Sequence, residues 1–313
     1  MKDNKHSKER QPNIALALGS GIARGFAHIG VLRALRKHGF VPDMIAGTSI
    51  GAVVGGAYLA GKLNVLEDWA LSLNRKRIVS YLDFKMGSGG LIKGQKILDL
   101  LSENVGDMCI EDLDRKFVAL ATDMVTGHEV WLRDGYIRDA LRASFSLPGV
   151  FPPMKVGKQF LIDGALVNPV PVSVCRAQNP KMTIAIDLNA DLISRNLSKT
   201  ENIPKAAGFD IKEMRKDKKL GIMNMFSRKI FDRDPNNPSV FGVMVSSLGI
   251  ILDRTTRSRL AGDPPDVHIK PRVGHIGLME FDRAQELIIE GEAVVERMLP
   301  ELVTARKVLL ENN

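Results

Sequence analysis

IALALGSGIARGFAHIGVLRALRKHGFVPDMIAGTSIG, residues 14–51, decides the fold. Ile14–Leu18 is an unbroken apolar run of strand length that feeds straight into Gly19-Ser20-Gly21-Ile22-Ala23-Arg24-Gly25. Beyond that loop Phe26, Ile29, Val31, Leu32 and Leu35 recur at helical spacing, and Lys37-His38-Gly39 supplies basic last-turn residues and a C-cap glycine. A second short strand, Met44 to Ala46, then runs into Gly47-Thr48-Ser49-Ile50-Gly51 and a helix of small residues reaching about Leu59. Strand, glycine turn and helix, twice in succession, begin a βαβ sheet.

The same alternation continues along the chain. Strands are expected at Phe117–Ala121, Glu129–Leu132, Gln159–Ile162, Met182–Asp187 and Val267–Lys270, with helices near Gly94–Asn104 and Phe281–Leu299. Interleaved strands and helices with no fixed repeat predict an α/β fold, a three-layer α/β/α sandwich on a mostly parallel central sheet. With 313 residues, 44% hydrophobic and 26% charged, the chain has the composition of a globular protein and not of a disordered one. Cys109 and Cys175 form no CxxC pair, so neither a disulfide framework nor a zinc site is indicated, and a reducing, cytoplasmic setting fits. The uncharged runs Met44–Gly61 and Pro235–Leu252 are too rich in Gly, Ser, Pro or Asn for membrane spans.

The formal net charge of +8 is unevenly distributed. Residues 1–13 carry +2, residues 195–233 hold eleven basic against five acidic side chains for a net +6, and the remainder is neutral. Neither basic segment has a finger, RNP or helix-turn-helix signature and aromatics are 5% of the chain, so nucleic acid is not the expected partner. The 195–238 stretch, with Pro204, Pro235 and Pro238 and no strand signal, reads as an insertion.

Three chemistries could use the glycine loop. A dinucleotide fingerprint needs a glycine where Arg24 stands and an acidic residue at the end of the next strand, whereas Asp43 precedes that strand. A P-loop needs a Gly-Lys-Ser/Thr ending that is missing. An oxyanion hole needs only backbone N–H groups converging at a helix N-terminus, and a plain strand-to-helix turn needs less still. Gly47-Thr48-Ser49-Ile50-Gly51 fits G-x-S-x-G, the nucleophile elbow, in the required strand-turn-helix context. A nucleophilic serine needs a base. His6, His28, His38 and His128 sit in the tail, on or after the first helix, or in a turn; His268 and His275 follow in hydrolase order, but one lies in an apolar strand and the other in a Gly-rich loop. Phe160-Leu161-Ile162-Asp163-Gly164-Ala165, a strand ending in aspartate and two small residues, makes Asp163 the alternative base, with a turn aspartate or N-cap as its bland reading.

The four stretches Gly19–Gly25, Gly47–Gly51, Ser144-Phe145-Ser146-Leu147-Pro148-Gly149-Val150-Phe151-Pro152-Pro153 and Asp163-Gly164-Ala165, in this order and spacing, resemble the motifs of the patatin-like phospholipase family. The likeness runs from about Asn13 to Ala177, and the Met182–Asn189 strand and C-terminal helix are similar to its bacterial branch. The resemblance implies a Ser49–Asp163 dyad without histidine and without metal or cofactor. It further implies an oxyanion hole of backbone N–H groups from Gly21, Ile22, Ala23 and Ile50, with Gly19, Arg24, Gly25, Gly47, Gly51, Gly164 and Ala165 in support. Aligned on Arg24-Gly25, the family pattern G-G-G-x-[Arg/Lys]-G departs from this chain at Ser20 and Ile22. A backbone N–H at Ile22 requires no glycine provided that its φ is negative. Ser144–Pro153 receives no catalytic role.

The implied layout is a flexible basic tail at 1–13, the catalytic domain at 14–194, the insertion at 195–238 and a C-terminal part at 239–313 that completes the same domain. The implied substrate is a phospholipid or lysophospholipid. Leu220, Met223, Phe226, Ile230 and Phe231, bordered by Lys218, Lys219, Arg228 and Lys229, suit an interfacial helix on an anionic membrane, with a solvated or disordered loop as the alternative; residues 195–233 are the candidate membrane contact of a cytoplasmic protein peripheral to the inner face of the membrane. A non-catalytic membrane-associated interaction protein and a nucleotide-binding oxidoreductase are the competing readings.

Overall fold

Eight strands hydrogen-bond into one sheet in the structure, a computed structural model that describes residues 11, 13–74, 108–190 and 240–311. The described elements are β1 (Ile14–Leu18), a 3₁₀ turn (Ile22–Phe26), α1 (Ala27–Lys37), β2 (Met44–Thr48), α2 (Ile50–Leu59), α3 (Leu63–Ser72), β3 (Lys116–Asp123), β4 (Glu129–Leu132) and α4 (Ile137–Ser144). They continue with β5 (Met154–Val156), β6 (Gln159–Asp163), a 3₁₀ turn (Gly164–Leu166), α5 (Val172–Arg176), β7 (Met182–Ile186), α6 (Val240–Gly262), β8 (Val267–Ile269) and α7 (Ala284–Arg306). The order across the sheet is β5-β6-β3-β2-β1-β7-β8, with β4 on the other edge of β3. β3-β2-β1-β7-β8 are mutually parallel, and β4, β5 and β6 add the antiparallel pairs.

The three expected layers follow from strand alternation. Leu16, Leu18, Ile45, Phe117, Ile184 and Ile186 point to one face and pack with the buried sides of α1, α2 and α7. Ala15, Ala17, Met44, Ala46, Val118 and Ala185 point to the other, against Val172, Val174 and Cys175 of α5 and Leu260 of α6. At the α1–α7 crossing a Cβ on Gly30 would lie 2.0 Å from the Ile288 carbonyl oxygen, and one on Gly291 2.0 Å from that of Ala27. The two helices therefore touch backbone to backbone. The C-terminal part belongs to the same sheet and core, through β8 beside β7 and α7 over α1.

Several expected boundaries shift. β2 and β3 are longer than read, and the C-terminal helix begins with a 3₁₀ turn at Phe281–Arg283 and extends to Arg306. The three-residue β5 carries too short an alternation to be read. The helix expected near Gly94–Asn104, the 195–238 insertion with its Leu220–Phe231 face, and most of the 1–13 tail lie outside the described residues. Cys109 and Cys175 form no disulfide. Among the described residues no helix is long and apolar enough to cross a membrane.

Candidate active site

The site sits where two strands meet end to end. β2 runs parallel to β3 and ends with Thr48 opposite Leu120; β6 runs antiparallel to β3 and ends with Asp163 opposite Ala121. β4 occupies the other edge of β3 over the same residues, so β2 and β6 share one edge and approach each other head-on. The last residue of β6 thereby meets the first residue after β2. Ser49 Oγ donates a 2.6 Å hydrogen bond to Asp163 Oδ2, in the short range of hydroxyl-to-carboxylate bonds.

Ser49 is held at φ 57, ψ −124, outside the regions an L-residue prefers, and this turns its side chain out of the sheet at the N-terminus of α2. Such a turn needs α2 to lie against the strand ends. A Cβ on Gly47 would fall 2.5 Å from Ala52 Cα, and one on Gly51 2.2 Å from the Leu18 carbonyl oxygen, so both elbow glycines are required by contact. The Ser49 N–H donates to Ser144 Oγ at 2.9 Å, and Thr48 Oγ1 donates to the Asn168 carbonyl at 2.9 Å. Neither support carries a local sequence signal.

Asp163 is fully buried and its carboxylate is met from two sides. Oδ2 takes the Ser49 hydroxyl and Oδ1 accepts the Ala165 N–H at 2.8 Å. Its own N–H donates to the Ser146 carbonyl at 2.9 Å, and its carbonyl accepts from Thr122 Oγ1 at 2.9 Å. Burial lifts its pKa from 3.8 to about 7, against the downward pull of the Ser49 and Ala165 hydrogen bonds. A carboxylate poised near neutrality can both take and return a proton. The Ser144–Pro153 stretch therefore braces both members of the pair, Ser144 through the elbow amide and Ser146 through the aspartate amide.

The glycine loop packs directly on the elbow: a Cβ on Gly25 would overlap the Ile50 side chain at 2.1 Å. Its backbone groups divide into two sets. Gly19 N–H donates to the Ile186 carbonyl, Ser20 N–H to that of Pro169, Ala23 N–H to that of Leu278 and Arg24 N–H to that of Gly21. The N–H groups of Gly21 and Ile22 have no acceptor among the described residues. The Ala23 amide is thus engaged in tying the loop to the segment after β8. Ile22 stands at φ 51, not the negative value its side chain favours. A β-branched residue is strained there, at the position where the family pattern places a glycine. Arg24 is buried and donates from Nε to the Ile276 carbonyl at 2.7 Å, which makes it a clamp on the 274–278 segment.

No histidine among the described residues bonds to Ser49. His28 is buried in α1 beneath the loop and its Nε2–H donates to the Gly19 carbonyl at 2.7 Å; burial lowers its pKa to about 4, so it is neutral. His38 and His275 pair with Glu296 and Glu286, His268 lies 3.5 Å from Asp187, and His128 is exposed in a turn.

An α/β/α fold with a serine elbow beside a buried aspartate defines a class of lipid ester hydrolases, and the chain is one of them. It belongs to the patatin-like phospholipase family, whose model matches residues 16–176, just over half of the chain. An uncharacterized NTE family protein of Mycobacterium tuberculosis is 33% identical, with 92% of this chain and 91% of that protein covered. Lysophospholipase NTE1 of Debaryomyces hansenii is 27% identical over 92% of this chain, which spans only 18% of that longer protein. The crystal structure of VipD from Legionella pneumophila aligns at a TM-score of 0.36 and 13% identity, covering 92% of this chain and 74% of VipD.

Proposed function

We propose that the chain releases fatty acids from phospholipids or lysophospholipids through an acyl-enzyme on Ser49, with Asp163 as the general base. The 2.6 Å bond between Ser49 Oγ and Asp163 Oδ2 carries this reading, since it joins nucleophile and base with no third group between them. Ser49 Oγ attacks the ester carbonyl carbon as its proton passes to Asp163 Oδ2. The resulting oxyanion meets the N–H groups of Gly21 and Ile22, joined by that of Ile50 at the first turn of α2, where the helix dipole also favours negative charge. Asp163 returns the proton to the departing alcohol oxygen as the ester C–O bond breaks. Water then enters, Asp163 takes its proton, hydroxide displaces Ser49 Oγ from the acyl carbon, and the proton goes back to the serine.

The name of the Debaryomyces relative favours lysophospholipids within this range. One acyl chain less also reduces what a buried nucleophile must admit, and Ser49 is 2% exposed. Fatty-acid release from lysophosphatidylcholine and from diacyl phosphatidylcholine tests both points. Wild type is expected to prefer the lysolipid, and Ser49→Ala and Asp163→Asn to lose on the order of 10³-fold or more in rate, as removal of a nucleophile or its base does elsewhere. Hydrolysis retained by Ser49→Ala would overturn the mechanism.

A further inference from the structure

Past the dyad, β3 continues for three residues beyond the level at which β2 ends, about 10 Å at roughly 3.3 Å per residue. It leads into the turn 124–128, beside which the β5–β6 hairpin reverses at Gly157-Lys158. These two tips carry three large exposed apolar side chains: Met124 at 49%, Val125 at 79% and Phe160 at 43% exposure. Turn tips are ordinarily polar, so the cluster calls for an explanation.

The tips are built as one unit. Asp123 Oδ1 accepts the N–H groups of Val125 and Thr126 at 2.9 and 3.0 Å, and its Oδ2 accepts Gln159 Nε2 across the gap at 2.7 Å. Met124 N–H donates to the Phe160 carbonyl at 2.8 Å. The one carboxylate of the two tips is therefore consumed in holding them together. What remains on the outer surface is positive: Lys155 and Lys158 are both exposed, with Lys155 Nζ 6.0 Å from the Phe160 ring centre. Glu129, which follows the 124–128 turn, is engaged by Trp131, Asn168 and Arg259.

We propose that the tips of the 124–128 turn and the 157–160 hairpin dock the enzyme on an anionic phospholipid bilayer. Val125, Met124 and Phe160 enter the headgroup–acyl boundary, and Lys155 and Lys158 meet the lipid phosphates. Exposed apolar side chains beside two lysines, with no free carboxylate among them, match an anionic lipid interface in both charge and polarity. The inference rests on the reading of the chain as a lipid ester hydrolase and adds the face it presents to the membrane. The tips stand at the carboxyl ends of the parallel strands, the end of the sheet at which Ser49 lies, so docking there brings lipid to the mouth of the site and not to its back.

Co-sedimentation with phosphatidylcholine vesicles containing 0 or about 30% phosphatidylglycerol tests the proposal on the full chain, beside hydrolysis of a short-chain water-soluble ester. The variants are Val125→Ser/Phe160→Ser and Lys155→Glu/Lys158→Glu. Wild type is expected to bind the anionic vesicles. The lysine variant is expected to lose about 30-fold or more in partitioning to them, at about 1 kcal/mol per basic residue, and the apolar variant about 10-fold or more on both vesicle types. Both variants are expected to keep soluble-ester hydrolysis within about twofold, which also shows that they fold. Vesicle binding undiminished in both variants overturns the proposal, as does a wild type that ignores anionic vesicles. Failure of the hydrolase reading shows separately, as absence of soluble-ester turnover in wild type.

Discussion

Replacing Asp163 by asparagine is expected to abolish hydrolysis and, at the same time, to stabilise the protein by an amount that grows with pH. The unfolded carboxyl titrates near its ordinary 3.8 and the folded one, raised by burial, near 7. Between these values the folded state holds a proton that the unfolded state has released, so stability falls as pH rises through the window and levels off above it. At 1.36 kcal/mol per unit the buried acid costs about 4 kcal/mol at pH 8, where it is ionised, and little more than a third of that at pH 5, where the cost is that of holding the proton. Asparagine carries no such cost and fits the same contacts: its carbonyl oxygen takes the Ala165 N–H and its amide donates to Ser49 Oγ, in place of the two bonds that Asp163 makes now. His28, whose folded pKa is lowered to about 4, opposes this trend by destabilising the fold as pH drops below 6.5. Comparing the two proteins cancels that contribution. Urea unfolding followed by fluorescence of the two tryptophans should show Asp163→Asn gaining about 3 kcal/mol relative to wild type between pH 5 and pH 8. Parallel pH profiles for the two proteins would refute the buried, neutral-poised base.

The remaining expectations follow from the same contacts. With Asp163 as base, kcat/KM rises with pH through about 7 and falls about tenfold per unit below it, read from a pH–rate profile; a profile flat from pH 5 to 8 contradicts the assignment. Ser144→Ala leaves the Ser49 amide without its acceptor, an expected loss of about 1–3 kcal/mol in stability with kcat falling more than KM changes, measured by denaturation and steady-state kinetics. Gly30→Ala drives a methyl into the Ile288 carbonyl and forces α1 and α7 apart; a loss of about 1–3 kcal/mol or failure to accumulate folded protein is expected, and an unchanged melting temperature speaks against the described crossing.

Much of this architecture can be read from local sequence. β1, the loop, α1 and the elbow are contiguous, and their apolar periods and glycines act within a few residues of one another. β4 at Glu129–Leu132 is bounded by turn residues and is found where its alternation places it. Ser49 and Asp163 are legible because each sits at the end of a strand beside small residues. Their meeting is not legible, since it depends on β2 and β6 sharing one edge of β3, a matter of register between segments more than 100 positions apart. The same holds for Ser144 and Ser146, which reach the dyad only through the fold. That the Ala23 amide is held by Leu278, while those of Gly21 and Ile22 have no acceptor among the described residues, is likewise invisible in the sequence. α6 escapes sequence reading for another reason: its small and polar residues blur the helical period that marks α7.

The claim that Ser49 is an activated nucleophile is tested most directly by labelling with a fluorophosphonate and locating the adduct by peptide mass mapping. A single phosphonylated residue, Ser49, is expected, with labelling and lipid hydrolysis lost together in Ser49→Ala and labelling slowed severely in Asp163→Asn. An adduct on any other serine, or lipid hydrolysis that survives in Ser49→Ala, would contradict it.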